Sequence, residues 1–243
     1  MDDILEIRDL RVWFPVRKGV FSRVVGHVKA VDGVSFSLRR GETLGVVGES
    51  GSGKSTVARV VAGLQRPTSG EVALRGRIGM VFQDPLGSLN PRMTVRAALD
   101  EVPGGADAAR LLEMVGLDAS ALDKYPHEFS GGQRQRICIA RAIAASPELR
   151  ICDEAVSALD LAIRSQVLDL LAGLKARLGL SLLFITHDIG VVQHIADRVI
   201  VMHRGRIVES GPCGEVIRSP RADYTRYLIA SVPRIGKPLA GEA

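Results

Sequence analysis

The sequence predicts an α/β fold: a largely parallel sheet, preceded by an antiparallel β region and interrupted by an inserted helical stretch. Three observations carry this expectation. The runs TLGVV, LRICD, LLFIT and RVIVM are short and aliphatic or β-branched, and glycine or polar residues bound them, as for buried strands. The helical pattern LAIRSQVLDLLAGLKARLG separates two of them, which is the alternation of parallel strands with crossover helices. Between Thr94 and Ala145 apolar residues recur at helical spacing in RAALD, AARLLEMVGL and RQRICIARAIAA.

Taken in order, Ile4 to Leu10 alternates as a half-buried strand does. The next segment, WFPVRKGVFSRVVGH, carries the Pro, Gly and basic residues of a loop or hairpin tip. VKAVDGVSFSL is again strand-like, with a turn expected at Asp32 and Gly33. TLGVV reads as a buried strand that enters a glycine-rich turn and then the helix VARVVAGL. Glu71–Leu74 and Ile78–Phe82 are further strand candidates. The last residues, GKPLAGEA and their approach, have the composition of a disordered terminus.

Composition narrows the function classes. At 243 residues and 46% hydrophobic content the chain suits one large domain, and with aromatics at 4% its core is aliphatic. No apolar run approaches the ~18–20 residues of a membrane-spanning helix. The start, MDDILEIRDL, is acidic where a secretory leader is basic and apolar. A soluble chain is therefore expected, with any membrane role exercised through partners. Cys138, Cys152 and Cys213 lack metal-ligand spacing and read as reduced, buried thiols. The net charge of +5 comes from scattered residues, mostly Arg, with no basic run and no interleaved aromatics, so it gives no nucleic-acid footprint.

Gly48, Glu49, Ser50, Gly51, Ser52, Gly53, Lys54, Ser55 and Thr56 fit G-x-x-x-x-G-K-[ST] completely, between a strand and a helix as that motif requires. The glycines permit backbone conformations that turn successive N–H groups inward, and the helix start adds its free donors. Lys54 is placed to reach the β- and γ-phosphates of a nucleotide, and the Ser55 hydroxyl to take one Mg²⁺ position. A chance glycine-rich turn would not satisfy every constrained position together with both flanks. The loop by itself says only nucleotide.

Downstream, Phe129, Ser130, Gly131, Gly132 and Gln133 open the helical run RQRICIARA, a second anion platform at a helix start. Asp153 and Glu154 close the strand LRICD, Ser157 to Asp160 reads SALD, and His187 follows the strand FIT. Singly, each has a bland reading: an N-cap with a glycine pair, a solvated acidic turn, a structural histidine. In series, with Gln83 in MVFQDP, they resemble the ATP-binding-cassette (ABC) transporter ATPases from about Ile4 to about Pro233. The resemblance implies ATP and Mg²⁺ as cofactors. It gives Asp153 to Mg²⁺ through water, Glu154 to polarising the attacking water and His187 to the γ-phosphate. Gln83 then touches Mg²⁺ and that water. Ser130, Gly131, Gly132 and Gln133 form the signature that faces the ATP of a partner cassette, with Ser157 and Asp160 in the D-loop. The adenine-stacking aromatic aligns best with Phe14, and next with Trp13.

The resemblance implies one cassette over 1–243: a core with its β subdomain over 1–93 and 147–212, a helical subdomain over 94–146, and a tail over 213–243. The segments FPVRKGVFSRVVGHVKAVDGVSF, VFQDPLGSLNPRMTV, KYPHEFSGGQRQR, DEAVSALD and SPRADYTRYLIASVPR resemble importers of dipeptides, oligopeptides and nickel. The implied partners are a second cassette, a different chain, two transmembrane permeases and, indirectly, a solute-binding protein. Nucleic acid is not among them. The implied location is the cytoplasmic face of the membrane. The segment around Pro85 to Pro91 is expected to face the permeases. The alternatives are a soluble cassette working on DNA or ribosomes, a cassette of another transporter class, and one that binds ATP without turnover. Intact Glu154, His187 and SGGQ disfavour the last. Three departures stand out: an abbreviated stretch from Gly70 to Gly79, a short helical lobe from Thr94 to Leu111, and Arg150 inside a buried strand. A charge buried between sheet faces is costly, so Arg150 is expected to reach an acid or an edge.

Overall fold

Two sheets organise the chain, and the computed structural model describes residues 2–19, 22–82, 84–103 and 107–231. The first sheet is antiparallel. β1 (Asp3–Lys18) pairs with β2 (Arg23–Arg39) along nearly its full length. The expected loop is therefore mostly strand, since β1 runs to Lys18 and β2 begins at Arg23. Nor does a turn form at Asp32 and Gly33. There Leu10 faces Val34 while Arg11 faces Asp32, so Gly33 is the extra residue of a bulge, with φ +81. A turn and a bulge ask for the same chemistry, a polar residue beside a glycine free to take positive φ.

β3 (Thr43–Val47) starts the second sheet and leads into α1 (Lys54–Val61). β4 (Ser69–Leu74) returns to the first sheet, on the other side of β1. Residues 75–77 alone join it to β5 (Ile78–Val81) of the second sheet, which is why the stretch from Gly70 to Gly79 is so short. After the short α2 (Pro85–Ser88), α3 (Val95–Asp100), α4 (Ala108–Met114) and α5 (Gly131–Ala144) form the inserted helical lobe. β6 (Leu149–Asp153), α6 (Leu161–Leu178), β7 (Ser181–Thr186), α7 (Ile189–Ile195) and β8 (Arg198–His203) complete the alternation. β9 (Arg206–Pro212), α8 (Cys213–Arg218) and α9 (Asp223–Ala230) end the described chain.

The second sheet has the order β5-β6-β7-β3-β8-β9, parallel except for β9. Its central strands are buried at every position, as strands covered on both faces must be. Side-chain alternation divides the core. Leu149, Ile151, Leu183 and Ile185 pack with Val57 and Val61 of α1 and with Ile7, Leu10 and Val12 of the first sheet. Cys152, Leu182 and Phe184 face the other way, onto Ile137 of α5 and Val167 and Leu171 of α6. A third cluster joins Val199 and Val201 to α7, α8 and α9. The α/β fold read from the sequence is the fold observed, with its antiparallel N-terminal sheet and its helical insertion.

Arg150 corrects an expectation. It sits in β6, flanked by β5 and β7, so it reaches no edge. It is 1% exposed, and its only hydrogen bond among the described residues goes from Nη1 to the Ala142 carbonyl. No acid pairs with it among those residues. Room for the guanidinium comes from Gly79 on β5, which pairs with Arg150, because a Cβ there would press on Arg150 Nη1. The three cysteines form no disulfide and are buried, as expected. Burial raises all three thiols, Cys152 to about 12, and so keeps them protonated and unreactive. No described helix is long and apolar enough to cross a membrane.

Candidate nucleotide site

Three adjacent strands, β6, β7 and β3, end along one rim of the sheet, where open parallel sheets place their ligands. The register pairs Val47 with Thr186 and Asp153 with Ile185. The residues that follow each strand, Gly48, Glu154 and His187, therefore emerge side by side.

The loop after β3 is seated on its back. A Cβ on Gly48 would overlap the Met202 carbonyl of β8, and one on Gly53 would overlap the Ala30 carbonyl of β2. Gly53 stands at φ +105 as the residue preceding α1, with no side-chain cap on that helix, so its first N–H groups stay free for an anion. Lys54 is 3% exposed. Its Nζ donates to the carbonyls of Gly48 at 2.7 Å and Glu49 at 2.8 Å. Burial lowers its pKa, while the nearby Glu154 and Asp153 carboxylates act the other way.

Ser55 Oγ donates to Asp153 Oδ1 at 2.9 Å. Asp153 is 7% exposed, and its carboxyl is raised chiefly by that burial, partly offset by the Ser55 bond. A carboxylate whose charge is under-compensated, beside a hydroxyl oxygen, is the donor chemistry a hard divalent cation takes. No group of three or more His, Cys, Asp or Glu among the described residues forms a closed metal cage. That suits Mg²⁺, which uses one or two protein ligands and leaves the remainder to phosphate and water.

Glu154 has φ +50, left-handed for a residue with a side chain. Such a conformation costs about 1–3 kcal/mol and persists only when neighbours enforce it. Here the Glu154 N–H donates to the Ile185 carbonyl at 2.9 Å, and its own carbonyl accepts from Ser157 Oγ at 2.9 Å and Ser157 N at 3.1 Å. The twist aims the carboxylate across the rim, where Oε2 lies 3.1 Å from His187 Nδ1. The His187 turn is fixed by its neighbour: Asp188 accepts from Gly190 N at the start of α7 and pairs with Arg164 of α6 at 2.9 Å.

The structure thus brings the phosphate loop, Ser55, Asp153, Glu154, Ser157 and His187 together. Asp160 caps α6 by accepting from Ile163 N. Ser130, Gly131 and Gln133 stand exposed on the helical lobe. Ser130 and Gln133 close a capping box at the start of α5, each side chain accepting from the other's backbone N–H. Gly132 is buried because a Cβ would strike Ile163 of α6. Trp13 has its ring covered by Lys29 Nζ at 4.4 Å. Phe14 is 40% exposed and follows Val12 by two along β1, on the strand face that packs toward α1. Gln83 lies outside the described residues.

Sequence reasoning missed Tyr224 of α9. Its hydroxyl accepts from the Glu49 N–H at 3.0 Å, and its ring lies 4.0 Å from that of His203. The aromatic in DYTRYL was the signal, but nothing local tells a strand-packed tyrosine from one that touches the phosphate loop.

Comparison with known proteins supplies the remaining findings. Residues 31–157 match the family model described as ABC transporter. The chain is 48% identical to the oligopeptide transport ATP-binding protein AppF of Bacillus subtilis, over 96% of this chain and 79% of that protein. It is 43% identical to the probable D,D-dipeptide transport ATP-binding protein DdpF of Escherichia coli, over 99% of this chain and 82% of that one. Among solved structures it resembles cbiO1 of Clostridium perfringens, part of the ABC transporter complex cbiONQ. That match has TM-score 0.77 and 27% identity, over 90% of this chain and 92% of that one.

Proposed function

The chain belongs to the ABC transporter family of ATP-hydrolysing cassettes, and from that premise we propose that it energises the import of peptides through membrane permeases. The observation that carries this reading is the junction at the sheet rim. A buried lysine, a Ser–Asp oxygen pair and a Glu–His pair converge there on one phosphate-binding loop.

Each residue has a role that its surroundings support. The amides of Gly48 to Thr56 cradle the phosphates, and Lys54 exchanges its carbonyl partners for the β- and γ-phosphate oxygens. Ser55 and Asp153, with Gln83, would hold Mg²⁺, which would supply neutralisation of the phosphate charge. Glu154 accepts a hydrogen bond from the attacking water and orients it. His187 contacts the γ-phosphate and steadies Glu154 through their shared contact. Phe14, open where Trp13 is covered, stacks on adenine. Ser130, Gly131, Gly132 and Gln133 close over the nucleotide of a second cassette. Ser157, bonded to Glu154, and Asp160 transmit that closure.

The partners proposed are two transmembrane permeases, a second cassette that is a different chain, and indirectly a solute-binding protein. This chain's own place is peripheral, at the cytoplasmic face of the membrane. The helical subdomain over 94–146 carries the signature, and the segment near Pro85 to Pro91 docks the permeases. The relatives named for oligopeptide and dipeptide transport support peptide as cargo. Nickel, the other cargo of the resembling subgroup, has no observation of its own in its favour.

Glu154→Gln tests the reading. Removing the carboxylate while keeping size and hydrogen bonding should slow phosphate release by ~10²–10⁴-fold. MgATP affinity should stay within a few fold, because Lys54, Ser55 and Asp153 are untouched. Hydrolysis at the wild-type rate would remove Glu154 from the chemistry.

A further inference from the structure

The guanidinium of Arg164, in α6, makes two hydrogen bonds that end on two different loops of the candidate nucleotide site. Nη1 donates to Asp188 Oδ2 at 2.9 Å, in the turn that carries His187. Nη2 donates to the Leu159 carbonyl at 3.2 Å, in the D-loop (Ser157 to Asp160). The same two loops also meet at Glu154. Its carbonyl accepts from Ser157 Oγ at 2.9 Å, and its carboxylate lies 3.1 Å from His187 Nδ1. The contacts close a ring that runs from Glu154 through the D-loop, Arg164, Asp188 and His187 back to Glu154.

Stability alone accounts poorly for this residue. Arg164 is the fourth residue of α6, and the N-terminal end of a helix carries positive partial charge, so a cation is the wrong charge for that position. Its Nε is withdrawn from water and has no hydrogen-bond partner among the described residues. Arg164 and Asp188 are both half-buried, and an ion pair still within reach of solvent contributes little.

What the guanidinium does supply is geometry. Its N–H groups are fixed in one plane, so sliding one loop past the other breaks one of the two bonds. Asp188 is held as well: Oδ1 accepts from Gly190 N at 2.9 Å, and its own N–H donates to Thr186 Oγ1 at 3.1 Å.

We propose that Arg164 is a positioning residue for hydrolysis, keeping the His187 turn in register with the D-loop so that a displacement of the D-loop by the second cassette reaches the Glu154–His187 pair. The inference rests on the roles proposed above for Glu154, His187 and the D-loop, and adds to them the link between the two loops.

The test is single-turnover phosphate release, which resolves slow variants, from the full chain assembled with its partner subunits. Arg164→Met removes both bonds and keeps the aliphatic stem. Release should slow about tenfold, as for a modest misplacement of reacting groups. The MgATP dissociation constant should stay within about twofold, because Lys54, Ser55 and Asp153 lie outside the ring. Arg164→Lys can satisfy one loop but not both, and should recover only part of the loss. A double-mutant cycle decides between positioning and general support. If Arg164 acts through His187, adding Arg164→Met to His187→Ala should cost less than about twofold more. Should Arg164→Met fail to fold, Asp188→Asn, which keeps the α7 cap and weakens the pairing, takes its place in the cycle with the same expectation. An unchanged rate in the single variant, a loss of MgATP affinity as large as the loss of rate, or losses that multiply in the cycle would overturn the role. Glu154→Gln in the same assay keeps the two readings apart. Wild-type turnover there removes the proposed chemistry and this role with it, whereas a slow Glu154→Gln beside an unaffected Arg164→Met removes Arg164 alone.

Discussion

Glu154 and Arg150 lie only four residues apart in sequence. Both are held in costly states, Glu154 by its backbone and Arg150 by its burial. The cost at Glu154 is anchored by Ser157 and β7 at the rim of the sheet, where strain would serve the proposed chemistry. The cost at Arg150 is electrostatic. Its pKa is lowered from 12.5 to about 10 by desolvation. The folded chain therefore disfavours the charged form: the penalty is fully present below pH ~10 and is relieved as pH rises toward the unfolded value. At neutral pH that amounts to on the order of 3 kcal/mol. Arg150→Leu should accordingly stabilise the chain by about 1–3 kcal/mol in urea titration at pH 7, the smaller side chain giving back part of the gain as a void. A destabilised variant would mean that Arg150 has a partner in solution.

Among elements, the last helix has the least obvious role. Tyr224 on α9 ties the far end of the described chain to Glu49 at the start of the phosphate loop. Tyr224→Phe keeps the ring on His203 but leaves that N–H without its acceptor. A hydrogen bond of this kind is worth about 0.5–1.5 kcal/mol, so the ATP dissociation constant should rise about 2–10-fold in calorimetry while kcat changes little. An unchanged constant would detach α9 from nucleotide binding. Elements were legible wherever one pattern had one structural outcome. The buried strands β3, β6, β7 and β8 and the long helix α6 follow directly from their runs. The β1–β2 ribbon did not, because proline, glycine and arginine in Pro15 to Arg23 look like a loop until two strands are seen pairing across them. The site divides in the same way. Loop, acids and histidine were legible as motifs. The contact of Glu154 with His187, the pairing of Gly79 with Arg150 and the reach of Tyr224 arise only when distant segments meet.

At the scale of the whole molecule, nucleotide binding and folding are linked. The phosphate loop lies between the two sheets: β2 supports it at Gly53, β8 supports it at Gly48, and α1 beyond it fills the core between them. A ligand that grips the loop stabilises that entire junction. At a concentration 100 times its dissociation constant, MgATP should add about 2.7 kcal/mol. For a chain of 243 residues this corresponds to a Tm rise of roughly 5–11 °C. Lys54→Ala should abolish the rise, because the chief countercharge to the phosphates is gone. A shift of wild-type size in that variant would move the nucleotide elsewhere.

The seating of the loop has a consequence for how its sequence changes over time. Gly48 and Gly53 are required by the carbonyls of Met202 and Ala30 behind them, whether or not a phosphate lies in front. A descendant relieved of ATP turnover would still be selected to keep both, since an alanine at either would collide with backbone. Glu154 has no such second employer, and its left-handed backbone is relaxed by mutation to glycine. Degenerate offspring of this chain should thus betray themselves first at position 154, while their phosphate loop still reads as intact.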